Sequence, residues 1–251
     1  MQMQMSLGQE VQKKCKQCGM EYTASSIEDR RLHDKFHKQN TEGYDVGKNF
    51  VAQTDRTLQL KVKSDGDAIL RVNCFDKHHR QKKAQAALEI VQRELGAVPI
   101  PEVEIWGKEA TKAGVSNCLQ PKFDAFMYVR EGKCIGYCLT EHIEEAFESA
   151  LAALRARKQC AAQELAEAEQ NPIKLSPTTS PAVMGISRIW TSSTHRGQGI
   201  AKSLLDIAVS AYNVKEIESK DQVAFSQPTE SGAKLARRWF GKPYGWKIYV
   251  D

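Results

Sequence analysis

Two cysteines and two histidines near the N-terminus constrain this chain more than anything else in it. Cys15-x2-Cys18 is followed, after fourteen residues, by His33-x3-His37. Two thiolates and two imidazoles suit a tetrahedral zinc ion, and the gaps match a two-cysteine, two-histidine finger. The residues in between agree. Gly19 can supply the turn of the cysteine knuckle, and residues 26–38 read as a helix that puts His33 and His37 on one face. Ser26 with Asp29 resembles the start of a capping box, with aspartate in place of the usual glutamate. Met20, Tyr22, Leu32 and Phe36 would supply a small core. The competing account is four unrelated residues on a basic segment. A finger that reads DNA sets side chains of its helix on about three base pairs. One finger alone gives little specificity, so a structural or docking role is expected here.

Seven cysteines in 251 residues is an odd count. The first residues show no basic-then-apolar leader, so a disulfide framework is not expected, whereas metal ligation and buried free thiols are. No apolar run approaches the ~18 residues of a membrane span. The net charge is +5, from 36 basic and 31 acidic side chains, which permits contact with nucleic acid or acidic surfaces without requiring it. Lys13-Lys14-Cys15-Lys16, the run from His78 to Lys83, and Arg237-Arg238 are short basic clusters, each read as a solvated face.

The pattern divides the chain into a disordered tail at 1–13, the finger at 14–40, a glycine-bearing linker at 41–56 and a larger domain at 57–251. In the larger domain, strands are expected at 57–62 and 68–72 around a turn, then an amphipathic helix at 77–95 closed by Gly96. A hairpin of strands at 123–129 and 134–139 follows. Residues 144–169, rich in Ala, Glu and Leu, read as a helix by propensity, and 171–183, with three prolines, as a loop; together they form an expected helical insertion and loop at 144–183. The last third alternates: strand 184–191, a polar turn, helix 200–212, strand 223–226, helix 230–240 and a final strand at 246–250. This order argues a mixed α/β core.

The turn in that last third carries chemistry. Arg196-Gly197-Gln198-Gly199-Ile200-Ala201 sits between a strand and a helix. A pyrophosphate binds well where free backbone N–H groups meet the positive end of a helix. The glycines at 197 and 199 let the backbone approach closely, Arg196 adds charge and Ala201 permits tight packing. Alone the hexapeptide is a weak signal; between this strand and this helix it is a strong one.

Arg196-x-x-Gly199-x-Ala201 resembles the acetyl-CoA pyrophosphate loop of the GCN5-related N-acetyltransferases. The text around it is more specific. Gly185-Ile186-Ser187-Arg188-Ile189-Trp190, the run from Val223 to Thr229, and the finger with Ser26-Ile27-Glu28-Asp29-Arg30 between its ligands are similar to the sister-chromatid cohesion acetyltransferases, in their fungal-like form. The likeness is strong over the finger and the last third, loose over 50–140 and nearly absent over 144–180. It implies an α+β fold: a small C2H2 ββα zinc finger, then an acetyltransferase domain with a mixed, mostly antiparallel twisted sheet flanked by helices. It implies a nuclear protein lysine N-acetyltransferase that moves acetyl from acetyl-CoA to the cohesin SMC subunit in S phase, with structural zinc at Cys15, Cys18, His33 and His37. By motif, Ile189, Trp190 and Thr191 line the acetyl-pantetheine. Arg196, Gly197, Gln198, Gly199, Ile200, Ala201 and Lys202 hold the pyrophosphate, and Thr229, Glu230 and Ser231 close the cofactor site. Ser187, Asp206 and Gln227 fall at the family's active-site positions. A replication clamp and chromatin are partners expected from the family only, since no clamp-binding box stands in residues 1–13; no membrane and no sequence-specific DNA reading are expected.

A lysine ammonium must lose a proton before it attacks a thioester, so a base and an oxyanion donor are needed. The N–H groups of 189–191 are the expected donor. Asp206 is the first candidate for the base; the alternative is an ordinary helix residue off the Leu204/Ala208 stripe. Ser187 would orient the lysine. Gln227 cannot accept a proton at neutral pH and can only position. Glu141 and His142 are fallback bases, and Cys134 and Cys138 read as buried thiols. Two other readings stand beside this one: an acetyltransferase for small amines, opposed by the fused finger, and a DNA-binding finger protein with an inert second domain, opposed by the intact loop at 196–201.

Overall fold

The computed structural model describes residues 12–54, 59–62, 66–110, 119–149, 175–212 and 216–250. The finger comprises β1 (Gln12–Lys14), β2 (Glu21–Thr23) and α1 (Ile27–Glu42). Ser26 caps the helix, its Oγ accepting from the Asp29 N–H at 3.2 Å, while Asp29 Oδ2 accepts from the Thr23 N–H at 3.0 Å. The Ser26 half of the expected capping box forms, whereas Asp29 braces the preceding strand instead of the Ser26 N–H.

After α1 come β3 (Tyr44–Asp45), β4 (Gln59–Val62), β5 (Ala68–Val72), α2 (His78–Leu95), the short α3 (Glu102–Ile105), and a small hairpin of β6 (Lys108–Ala110) and β7 (Leu119–Pro121). The long strands β8 (Phe123–Arg130) and β9 (Lys133–His142) follow, then β10 (Glu145–Ser149), β11 (Leu175–Pro181), β12 (Met184–Thr191), α4 (Ile200–Ser210), β13 (Val223–Ser226), α5 (Glu230–Phe240) and β14 (Lys247–Tyr249). The main sheet runs β11-β10-β14-β13-β12-β9-β8-β5-β4, with β3 also on β9. Its pairs are antiparallel except β12 with β13 and β13 with β14.

The sheet has a helical layer on each face, and the central strands are therefore apolar on both sides. Seven of the eight residues of β8 are buried. On one face α4 and α5 cover Phe126, Ile186 and Phe225; on the other α2 sets Leu88 and Val91 on Leu70, Met127 and Leu139. Arg130-Glu131-Gly132-Lys133 joins β8 to β9, with φ of 49° at Glu131 and 77° at Gly132, the paired left-handed conformation that suits a two-residue hairpin.

Two sequence expectations are corrected. Glu145–Ser149, expected to begin a helix, is a strand pairing with β14 and β11, because pairing across the sheet overrides the modest helical preference of Ala and Glu. Leu175–Pro181, expected as loop, is a strand as well. Its prolines are tolerated because β11 has one neighbour, so missing N–H groups can face away from the ladder. Residues 150–174, with the rest of the expected helix and Pro172, lie outside the described residues, as do 1–11, 55–58 and 63–65. The described part of the segment read as a linker, through Thr54, packs into the fold. Thr41 and Glu42 complete α1, β3 joins the sheet, and Val46 and Phe50 are buried in the core on the α2 face.

Candidate functional site

The metal centre is assembled from a knuckle and a helix. The Gly19 N–H donates to the Cys15 carbonyl and the Cys15 N–H to the Met20 carbonyl, both at 2.9 Å, which folds the knuckle. Ligand atoms of Cys15, Cys18, His33 and His37 all lie within 4.8 Å of one another. The His33 ring stacks on Tyr22 with centroids 4.1 Å apart, and its Nε2 is buried without a hydrogen-bond partner. Hydrogen bonding, first from the Cys18 backbone and then from His33, lowers the Cys15 thiol to about 6. An orphaned imidazole nitrogen beside an acidified thiol is the donor chemistry of a zinc site.

The second site is a gap in the sheet. Met184–Ile186 of β12 pair in parallel with Val223–Phe225 of β13, and the pairing stops there. β12 runs on to Thr191, held on its other side by β9. A bulge at Ser187, between the Ile186–Thr140 and Arg188–Leu139 partners, re-aims the strand at the point of divergence. Beyond it β12 has one edge without a strand partner among the described residues, and a linear amide-bearing molecule can pair there.

That edge leads into the glycine turn. Gly197 and Gly199 have φ of 78° and 76°, the left-handed region that favours glycine, and a β-carbon on either would meet nothing within 4 Å. Gly199 is the N-cap of α4 and no side chain caps the helix. The first N–H groups of α4 therefore face open space and suit an anion. Gly136 brings this helix onto the sheet: a β-carbon there would stand 2.5 Å from Ile200 Cγ2. Arg196 Nε donates to the Thr191 carbonyl at 3.2 Å, closing the turn. The turn is also held from below. Arg130 grips buried Asp67 through Nε at 2.8 Å and Nη2 at 2.6 Å, and its Nη1 donates to Gln198 Oε1 at 3.0 Å.

Ser187 and Gln227 flank the mouth of the gap, just past the last β12–β13 pair. Ser187 is buried, and its Oγ accepts from Arg188 Nη1 at 3.2 Å. Asp206 stands apart from them, between α4 and α5. Trp239 Nε1 donates to its Oδ1 at 2.8 Å and Lys202 Nζ to its Oδ2 at 2.5 Å. Burial alone would raise its carboxyl, but the hydrogen bonds from Lys202 and Trp239 outweigh this and hold it below the usual carboxylate range. That environment suits a clamp between helices better than a base. Ile189 packs on the α4 face, whereas the Trp190 side chain is buried against α2, so only its backbone can line the gap. Thr191 Oγ1 is buried without a partner. Thr229 caps α5 through the Gly232 N–H, Glu230 pairs with Lys234, and Ser231 is exposed. Glu141 accepts from the Tyr249 hydroxyl at 3.1 Å and the His142 ring bonds the Tyr212 hydroxyl at 3.0 Å. Cys134 and Cys138 are fully buried; burial raises Cys134 to about 12 and Cys138 further.

The sequence did not point to Glu94. Its Oε2 accepts from Trp190 Nε1 at 2.7 Å, and the Asn40 amide of α1 lies against the same carboxylate. Burial raises its carboxyl above the usual range. The buried indole N–H of Trp190 was the available clue, since such a group needs an acceptor. Around this contact the finger is fastened to the larger domain. Arg93 lies 4.6 Å over the Phe36 ring, Lys133 pairs with Glu42, and the Thr194 hydroxyl, in the turn that precedes α4, donates to the Thr41 carbonyl.

A split sheet with a glycine turn at a helix start, preceded by a zinc finger, defines an N-acetyltransferase domain fused to a metal-binding module. The family model described as the zinc-finger of acetyl-transferase ESCO matches residues 2–39, and that described as ESCO1/2 acetyl-transferase matches residues 180–249. The chain thus carries, in order, the matches to both domains of the ESCO/Eco1 family. It is 30% identical over 225 residues to N-acetyltransferase eso1 of Schizosaccharomyces pombe, covering 90% of this chain and 23% of that protein. It is 29% identical over 255 residues to N-acetyltransferase ECO1 of Saccharomyces cerevisiae, covering 91% of this chain and 83% of that protein. The chain thus spans under a quarter of one relative and most of the other. In fold it is similar to the xEco2 acetyltransferase domain, solved bound to a CoA conjugate, with a TM-score of 0.56 at 23% identity over 76% of this chain and 95% of that one.

Proposed function

We propose that this chain is a protein lysine N-acetyltransferase. It takes acetyl from acetyl-CoA and places it on lysines of the cohesin SMC subunit in the nucleus, during S phase, in support of sister-chromatid cohesion. The observation that carries this reading is the edge of β12 that has no strand partner among the described residues, running into the open N-terminus of α4. One strand edge and one helix end, in line, suit an amide-bearing arm that ends in a pyrophosphate. The xEco2 domain, whose fold this chain shares, is itself solved with a CoA conjugate.

The acetyl thioester supplies the activated acyl group. The N–H groups of 197–202 hold the diphosphate, with Arg196 adding charge, and Thr229, Glu230 and Ser231 border the site from the start of α5. The edge of Ile189–Thr191 aligns the arm and meets the charge that develops on the carbonyl oxygen. Ser187 and Gln227, at the mouth, orient the incoming amine. With Asp206 engaged by Lys202 and Trp239, the amine's proton leaves to solvent at the mouth and Asp206 braces α4 against α5. The replication clamp and chromatin are the further partners this reading takes from the family. Turnover of acetyl-CoA with an SMC head domain, with polyamine and with DNA alone tests the proposal. Acetyl on the SMC head is expected; acetyl on polyamine alone would overturn it.

A further inference from the structure

The finger turns a basic surface to solvent that acetyl transfer does not use. In residues 12–42, seven exposed cationic side chains stand against three exposed carboxylates. Arg31, Lys35 and Lys38 recur along α1 at intervals of four and three, which is one stripe of a helix. The stripe is about 10 Å long. Lys13 and Lys16 extend the charge onto the hairpin, where Lys14 pairs with Glu21 at 3.4 Å, and the zinc site adds none, since two thiolates offset the ion. Phe36 and Asn40, which face the larger domain, lie off this stripe, and the stripe meets that domain only at its end, where Glu42 pairs with Lys133.

Base reading is excluded by the residues at the positions that would do it. In fingers of this type the side chains at helix positions −1, 3 and 6 meet the bases. Here these are Ser26, Asp29 and Leu32. Ser26 and Asp29 are consumed in the cap and the brace to Thr23, and Leu32 is apolar. None can make the bidentate contacts that discriminate base pairs.

We propose that the finger grips the phosphate backbone of duplex DNA without regard to sequence. It is a tether, independent of the acetyl-transfer site. Duplex DNA carries one charge per about 1.7 Å of axis, so a 10 Å cationic stripe with lysines to either side meets several phosphates at once.

The test is fluorescence anisotropy of the full chain with labelled duplexes of unrelated sequence across a salt series. All duplexes should bind alike, and log K should fall against log salt with a slope of about −4. The combined variant Arg31→Glu, Lys35→Glu and Lys38→Glu should lose at least about tenfold in affinity and make the slope shallower by about 3. Its zinc content and acetyl-CoA affinity should match the parent, which shows that the finger is intact. Arg238→Glu, exposed on α5, is the control and should bind DNA as the parent does. Absence of salt-dependent binding, an unaffected combined variant, equal loss in the control, or polyglutamate competing as well as duplex DNA would each overturn the proposal.

Discussion

The environment of Asp206 decides what that side chain can do. An aspartate that accepts from Lys202 and Trp239 and titrates below its usual range is a weak proton acceptor. Without an enzyme base, the reaction waits for lysine to deprotonate, and free lysine does so near 10.4. The expected outcome is that kcat/KM rises with pH through 9 with no plateau, as an initial-rate profile will show; ~9 is well below the lysine value. Asp206→Asn should cost less than about tenfold in kcat, under the usual worth of a general base. A plateau below neutrality that disappears in Asp206→Asn would instead make Asp206 the base. The same substitution has a stability signature. A depressed folded value contributes stability above the unfolded value and loses it as pH falls through the folded one. Asp206→Asn should therefore melt lower than the parent at neutral pH, and the gap should close below about pH 4.

Among the elements, the turn before α4 makes the sharpest claim. Gly199 has open space where a β-carbon would go, so Gly199→Asp should fold, at a cost of about 1–2 kcal/mol for its left-handed backbone. Its carboxylate would stand where the helix N–H groups await an anion. Calorimetry should show a large loss of acetyl-CoA affinity in a folded variant; unchanged affinity would remove the turn from the site. This element was legible in the sequence because its chemistry is local: two glycines, an arginine and a strand–helix junction. The finger was legible for the same reason. β10 and β11 were not, since Glu145–Ser149 is a strand through its partners on β14 and β11, which lie far off in sequence. Glu94 was hidden likewise: on the sequence it is one more polar helix residue, and in the fold it joins three elements.

Taken whole, the molecule does not divide where composition suggested. β3 follows the finger helix directly and pairs with Cys134 of β9, on the edge that β12 occupies up to Gly136. Thr41 and Glu42 reach Thr194 and Lys133 beside the glycine turn. A finger expected from its sequence to be separable is thus a buttress of the turn. Cys15→Ser, or removal of zinc by chelation, should unfold the finger and raise the KM for acetyl-CoA severalfold, since each lost hydrogen bond is worth about 1 kcal/mol. Zinc-depleted protein with an unchanged KM would restore the two-module picture. The far margin of the sheet has a consequence of another kind. Among the described residues β11 is the outermost strand on its side, and it carries Pro177 and Pro181. A bare strand margin is a template on which a second copy can add itself, and imino acids deny it part of the ladder. The prolines that disguised this segment as a loop therefore protect the protein at high concentration, keeping an open-ended sheet from growing into a fibre.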